Sequence, residues 1–145
     1  MRPRSVSVLA LFLACVFLLA GGASATSSSN NNDEDAGVLT TRYLTRGGCN
    51  IYKVGSNTLK LTGFTEANQI VDEISVTLYL QRLEESTWKD VAGGYRRTVY
   101  DTIDVTHAVN VIAAPGYYYR TRAVHQVIHN GIVETKQSTS ASLYL

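Results

Sequence analysis

From residue 115 to residue 131 the chain reads Pro115-Gly116, then an unbroken alternation from Tyr117 to His129, then Asn130-Gly131. The first pair turns the chain. The last is the dipeptide of a tight two-residue hairpin, whose central residues must both accept a positive φ. Between them, Tyr117, Tyr119, Thr121 and Ala123 fall on one side of an extended strand, and Tyr118, Arg120, Arg122 and Val124 on the other. Turn, long strand and hairpin turn in succession prescribe an antiparallel sheet. They name an architecture and no reaction.

The rest of the chain obeys the same period. Residues 74–82 carry Ile74, Val76, Leu78 and Leu80 in one parity and Ser75, Thr77, Tyr79 and Gln81 in the other, as a sheet solvated on one face requires. Further strands are expected over residues 48–54, 58–65, 87–91, 95–100, 104–112 and 132–145. Turns are expected at Gly55-Ser56-Asn57, Glu66-Ala67-Asn68 and Glu84-Glu85-Ser86. No long segment shows apolar residues at helical spacing. The expected fold is therefore all-β: about seven antiparallel strands in an immunoglobulin-like sandwich, with a small barrel as the alternative.

That domain occupies residues 38–145, long enough for one core. Ahead of it, Arg2 and Arg4 precede the nearly continuous apolar run of residues 6–20, and Ala23-Ser24-Ala25 has the small residues of a cleavage site. Residues 1–25 thus read as a signal peptide, the run of about 15 being shorter than the roughly 20 residues of a membrane span. The protein is expected to be secreted, with no stable membrane span after cleavage and with association to the cell envelope open to it. Leu13-Ala14-Cys15 faintly resembles a lipidation motif, but the apolar run continues past the cysteine. Residues 26–37, rich in Ser, Asn and acids, cannot bury surface to offset ordering entropy and read as a disordered linker. Asp33-Glu34-Asp35 within it reads as a solvated triplet.

Cleavage leaves one cysteine, Cys49, and no internal disulfide; it reads as a small buried apolar residue. Cleavage also leaves 11 basic against 12 acidic residues. That balance carries no basic excess for nucleic acid.

Two resemblances follow from the blocks above. Pro115-Gly116-Tyr117, with Tyr119, Thr121, Ala123 and Val124, resembles the penultimate strand of fibronectin type III domains. Trp88 lies after the third expected strand instead of in the second, which implies an immunoglobulin-like relative of that family. Thr65, Ala67, Ile70-Val71-Asp72, Ile74, Val76, Leu78-Tyr79-Leu80-Gln81-Arg82, Trp88, Gly116 to Arg120, Arg122, His125, Gly131 and Glu134 together look like a family of small secreted β-sandwich proteins of unknown function from Gram-positive bacteria. That resemblance implies export and a sandwich, and no activity.

Catalytic and metal chemistry find little footing. His125 and His129 on one strand stand about 13 Å apart, too far to share an ion without a bend. His107, on another strand, adds one imidazole and no carboxylate. No nucleophile elbow, phosphate loop or dinucleotide glycine pattern appears. Adjacent acids such as Asp72-Glu73 point to opposite faces of a strand and form no glycosidase pair. No cofactor is expected, and the protein reads as a non-enzyme. The remaining signal is aromatic, with nine tyrosines in the chain. Tyr118, Arg120 and Arg122 share the outward parity of one strand and Tyr79 that of another. Exposed rings stack on sugars or anchor protein partners, and arginines bind carboxylates bidentately. The expected function is a binding module for a cell-surface protein or glycan. The alternatives are a small hydrolase assembled from His107 or His125 with Asp101 or Asp104, and a secreted inhibitor or toxin.

Overall fold

A computed structural model describes residues 41–145. The expected signal peptide and linker, with Cys15 and the acidic triplet, lie outside the described residues. The described chain is all-β. Its six strands are β1 (Leu44–Lys53), β2 (Thr58–Glu84), β3 (Thr87–Ile112), β4 (Tyr118–His129), β5 (Ile132–Thr139) and β6 (Leu143–Tyr144). All pairings are antiparallel and belong to one sheet, which curls. β3 runs along the whole of one side of β2, while β1 and β4 divide the other side between them. β4 then pairs with β5 and β6.

The strand count corrects the expectation of about seven. Glu66-Ala67-Asn68 does not turn the chain. The Asn68 N–H donates to the Tyr43 carbonyl at 3.0 Å and its side-chain amide to the Arg42 carbonyl at 2.9 Å, so the segment is tied alongside the start of β1. β2 therefore runs on, and the register with β3 jumps from Glu66↔Asp104 to Val71↔Thr102. Residues 67–70 have only Ile103 to face them, and Asp101, two residues before it, takes a φ of 50°. A ladder with such a surplus in one strand bends there. The three strands expected over residues 87–91, 95–100 and 104–112 likewise join into β3. The register shifts there leave Val91 and Gly94 as extra residues, and Gly94 has a φ of 78°. The single strand expected over 132–145 is instead β5 and β6. The true turns are where the sequence puts them: Glu85-Ser86 closes β2 on β3 with φ of 47° and 67°, and Asn130-Gly131 closes β4 on β5 with 50° and 75°.

The bend sets the inner faces of the two halves of the sheet against each other. Leu59, Leu61, Val105 and Val111 come from one half; Ile74, Val76, Leu78, Leu80, Tyr119, Ala123 and Val127 come from the other, and all are buried. Their alternation in sequence is their alternation between core and solvent. Each such aliphatic side chain contributes about 1.5–3 kcal/mol through burial. Gly63 has no side chain because Leu78 occupies that space: a Cβ there would lie 2.7 Å from Leu78 Cδ2. Leu145 returns to the core, its carbonyl accepting from Gly116 N–H and its N–H donating to the Tyr117 carbonyl. Tyr117 is 40% exposed, against the expected inward position. It precedes β4, in the turn where Gly116 takes a φ of 93°, and so escapes the strand's parity.

Polar groups close the seam between β1 and β4–β5. The Glu134 carboxylate accepts the consecutive N–H groups of Arg42, Tyr43 and Leu44, the last two at 2.9 and 2.7 Å. Burial pushes the Glu134 carboxyl up, but the three N–H groups outweigh it and hold it below the ordinary glutamate range. Deeper in, the His125 ring is fully buried and lies on Gly47, where an added Cβ would come within 2.5 Å of it. Thr65 donates its hydroxyl proton to the Ser75 carbonyl, so it accepts from His125 Nδ1–H at 2.9 Å. Nε2 then accepts from the Ser138 hydroxyl at 2.8 Å. Ser138 Oγ is 3.3 Å from Cys49 Sγ, and that thiol reaches the Thr121 carbonyl at 3.5 Å. Ser138 has one proton, which His125 Nε2 takes here; the sulfur lies within reach of the same hydroxyl and donates its own proton to the Thr121 carbonyl. Burial depresses the His125 pKa and raises that of Cys49, so both groups are kept neutral.

The two groups make the seam acid-labile. The unfolded chain takes up protons at about pH 6.5 on histidine and about 4.3 on glutamate, while the folded chain resists both. Stability is full above pH 6.5 and falls as the pH drops through the depressed folded values. Glu134→Gln should lower the unfolding free energy at pH 7 by about 1–3 kcal/mol. It should also flatten the loss seen below pH 4.3. Urea titrations at several pH values check this; a Gln variant as steep as the parent below pH 4.3 refutes the role of the carboxylate.

Candidate binding face

The outer face of the sheet half formed by β3, β2 and β4 carries the expected site residues. Its rows follow from register: Tyr79 stands between Gly93 and Arg122, and Gln81 between Asp90 and Arg120. At the next row Leu83 meets Trp88, and Tyr118 pairs with Tyr144 of β6.

The arginines do not stand free. The Arg122 guanidinium lies over the Tyr79 ring at 4.0 Å and bonds Asp90 through both Nε and Nη2, at 3.2 and 2.6 Å. Arg120 lies over Trp88 at 4.3 Å and donates from Nε to Gln81 Oε1 at 2.7 Å. Gln81 in turn donates to Asp90 at 2.9 Å. Arg122 reaches Asp90 and Arg120 reaches Trp88, each one row along β3, as strands twisted against each other bring diagonal neighbours within reach. The Asp90 carboxyl is held below its ordinary range by the Arg122 hydrogen bond, and Asp90 holds Arg122 protonated in return. Asp90 is 41% exposed, so this pair contributes at most about 1 kcal/mol to stability. Its effect is geometric, for it fixes where the guanidinium points.

The ring faces divide into two kinds. Tyr79 is covered by Arg122, and the strand beneath fits it closely: a Cβ on Gly93 would lie 2.4 Å from Tyr79 Cδ1. Tyr79 is thus a pedestal for the arginine. Tyr118 and Tyr144, 50% and 60% exposed, meet edge to face at 5.1 Å and leave ring surface open to solvent. The four expected residues share one face, with Tyr79 in a supporting position. Trp88, Asp90, Gln81 and Tyr144 complete it and were not among the expected residues. Trp88 and Asp90 lie on the bulged arm of β3, whose parity is unreadable until the extra residues are known. Tyr144 lies beyond the break between β5 and β6.

The hydrolase residues are not drawn together by hydrogen bonds. His125 has Thr65 and Ser138 on its two nitrogens and no carboxylate. His107 pairs with Gly63 in the ladder, and burial together with Arg97 lowers its pKa. Asp104 pairs with Glu66, and Asp101 sits at the bend. His129 is bonded to Asp72 and Gln69 and packs edge-on against Tyr43 at 4.9 Å. Among the described residues no cluster of three or more His, Cys, Asp or Glu could hold a metal ion. A cleft of about 160 Å³ opens between Leu80, Val91, Ile112 and Tyr119, its one cation, Arg82, bonded to Glu84. It is smaller than the usual ligand pocket.

No family model matches the chain, and no curated protein is similar to it. A crystal structure of a protein from Archaeoglobus fulgidus is similar at 13% identity over 70% of this chain and 97% of that one, with a TM-score of 0.38. A likeness that weak carries no argument about fold or activity.

The pedestal can be tested. Gly93→Ala should cost about 1–3 kcal/mol by overpacking against Tyr79, in addition to the strain of an L residue at a φ of 157°. The cost should shrink in a Tyr79→Ala background, where the ring is gone. A thermodynamic cycle of the four proteins measures this, and additive losses would mean the ring does not rest on Gly93.

Proposed function

We propose that this protein is an exported, non-catalytic binding module of the immunoglobulin-like sandwich kind, which holds a cell-surface glycan or protein on the face of Tyr118, Arg120, Arg122 and Tyr144. The observation that carries the reading is the pair of guanidinium groups held on Tyr79 and Trp88 beside two exposed tyrosine rings. Groups already fixed in place lose little entropy on binding. Rings stack on the apolar faces of sugars or on protein side chains, while guanidinium groups donate to carboxylates and hydroxyls. Export and envelope association are supported by the leader-like residues 1–25 and the polar linker after them.

The mature protein, immobilised, should retain material from the producer's cell-envelope fraction or culture medium. Tyr118→Ala with Arg122→Ala should lower that retention at least tenfold while the circular dichroism of the sheet persists. Retention equal to the parent's removes this face from consideration. A polysaccharide or a protein in the eluate decides the class of ligand.

A further inference from the structure

β3 bonds only to β2 among the described residues, so the far side of this 26-residue strand presents unpaired N–H and C=O groups. Such an edge invites another strand unless charge or irregularity blocks it. The arm before the bend is blocked. Val91 and Gly94 interrupt its register, and it carries the charges of Lys89, Asp90, Arg96 and Arg97. Elsewhere, the eight residues of β5 include Glu134 and Lys136, and β1 carries Arg46 and Lys53.

The arm after the bend is different. Residues 104–112 pair with residues 66–58 of β2 without one shift, and they contain no Lys, Arg, Gly or Pro. Asp104 is their one acid. A second copy can lie antiparallel on this arm, and the single two-fold register that pairs all nine residues places Ala108 on the axis. Val105 then meets Val111 of the second copy, and His107 meets Val109, all on the inner parity. Thr106 meets Asn110 on the outer parity. Asp104 faces Ile112, so no like charges oppose each other anywhere in the ladder. On the inner parity valine meets valine or histidine; on the outer, Ala108 meets itself, Thr106 meets Asn110, and Asp104 meets Ile112.

We propose that the chain forms a two-fold dimer through residues 104–112 of β3, joining β1, β2 and β3 of each copy into one continuous sheet. The contact adds roughly eight to ten backbone hydrogen bonds. It leaves Tyr118, Arg120 and Arg122 uncovered, since they lie on the half of the sheet built from β2 after the bend. The occupant is a second copy because the arm matches itself in alternation and opposes no like charges, as a self-complementary two-fold interface requires.

Ala108 is exposed, so the monomer can carry a long side chain there. Sedimentation velocity on the parent should show a dimer at micromolar concentration. Ala108→Lys and Ala108→Glu should each raise the dissociation constant at least tenfold, since each sets like charges directly opposite on the axis. A one-to-one mixture of the two variants should restore the dimer. Independently, Ala108→Cys should cross-link under mild oxidation, the Cα atoms of a directly opposed pair lying within disulfide reach. Asn110→Cys, which faces Thr106, should not. A parent monomeric at all concentrations, charge variants that dimerise like the parent, or equal cross-linking at positions 108 and 110 would each overturn the proposal.

Discussion

Gly63 and Leu78 belong to the same strand, yet a methyl group on the first would meet the second at 2.7 Å. That contact is possible because β2 bends between them, and the other packing follows from it. One alternating strand supplies apolar side chains to both halves of the core, Leu59 and Leu61 before the bend and Ile74 to Leu80 after it. β3 follows β2 around the corner, and the free side of β2 is shared between β1 and β4. A straight hairpin of this length would leave its apolar face in water. The surplus of residues 67–70 and the left-handed backbone at Asp101 turn it into a surface that buries itself.

Closure by bending leaves a seam where β1 lies against β4 and β5, and the seam is polar. Glu134, His125, Thr65, Ser138 and Cys49 occupy it, and none of the buried side-chain polar atoms among the described residues lacks a partner. A buried hydroxyl or imidazole costs free energy only when unpaired. Here Ser138 lies against both Cys49 and His125, and His125 donates through Thr65 toward the Ser75 carbonyl, so both ring nitrogens are occupied. Burial holds the imidazole and the thiol toward their neutral forms, while Glu134 stays a carboxylate because three N–H groups solvate it. On the outer face, Arg122 and Asp90 hold each other and leave the exposed tyrosines beside them free.

Much of this was legible in the residues. The parity of Ile74 to Leu80 and of Tyr119 to Ala123 correctly picks core residues, because a strand must alternate; Ser75 and Gln81, expected outward, are nevertheless covered by their neighbours in the sheet. Asn130-Gly131 marks its turn, because few residue pairs accept two positive φ angles. The failures lie where one residue more or less decides the outcome. Glu66-Ala67-Asn68 has turn chemistry, but its donors were claimed by Arg42 and Tyr43 from elsewhere in the chain. Trp88 and Asp90 could not be assigned to a face, since the two extra residues between them and Tyr95 erase the phase of the alternation. Tyr117 seemed to belong to a strand that starts one residue later.

The sequence by itself determined that this chain builds antiparallel strands, which side of most strands faces the core, and that Tyr118, Arg120 and Arg122 share a surface. All of these are consequences of local backbone geometry and a period of two. Only the tertiary structure decided that two expected strands join into β2 and three into β3, that Tyr79 lies beneath Arg122, that Asp90 and Trp88 hold the arginines, and that His125 is locked between hydroxyls. Those outcomes depend on register and on a bend. Both are set by contacts between residues far apart in the chain, and alternation along a single strand carries no information about its neighbour's phase.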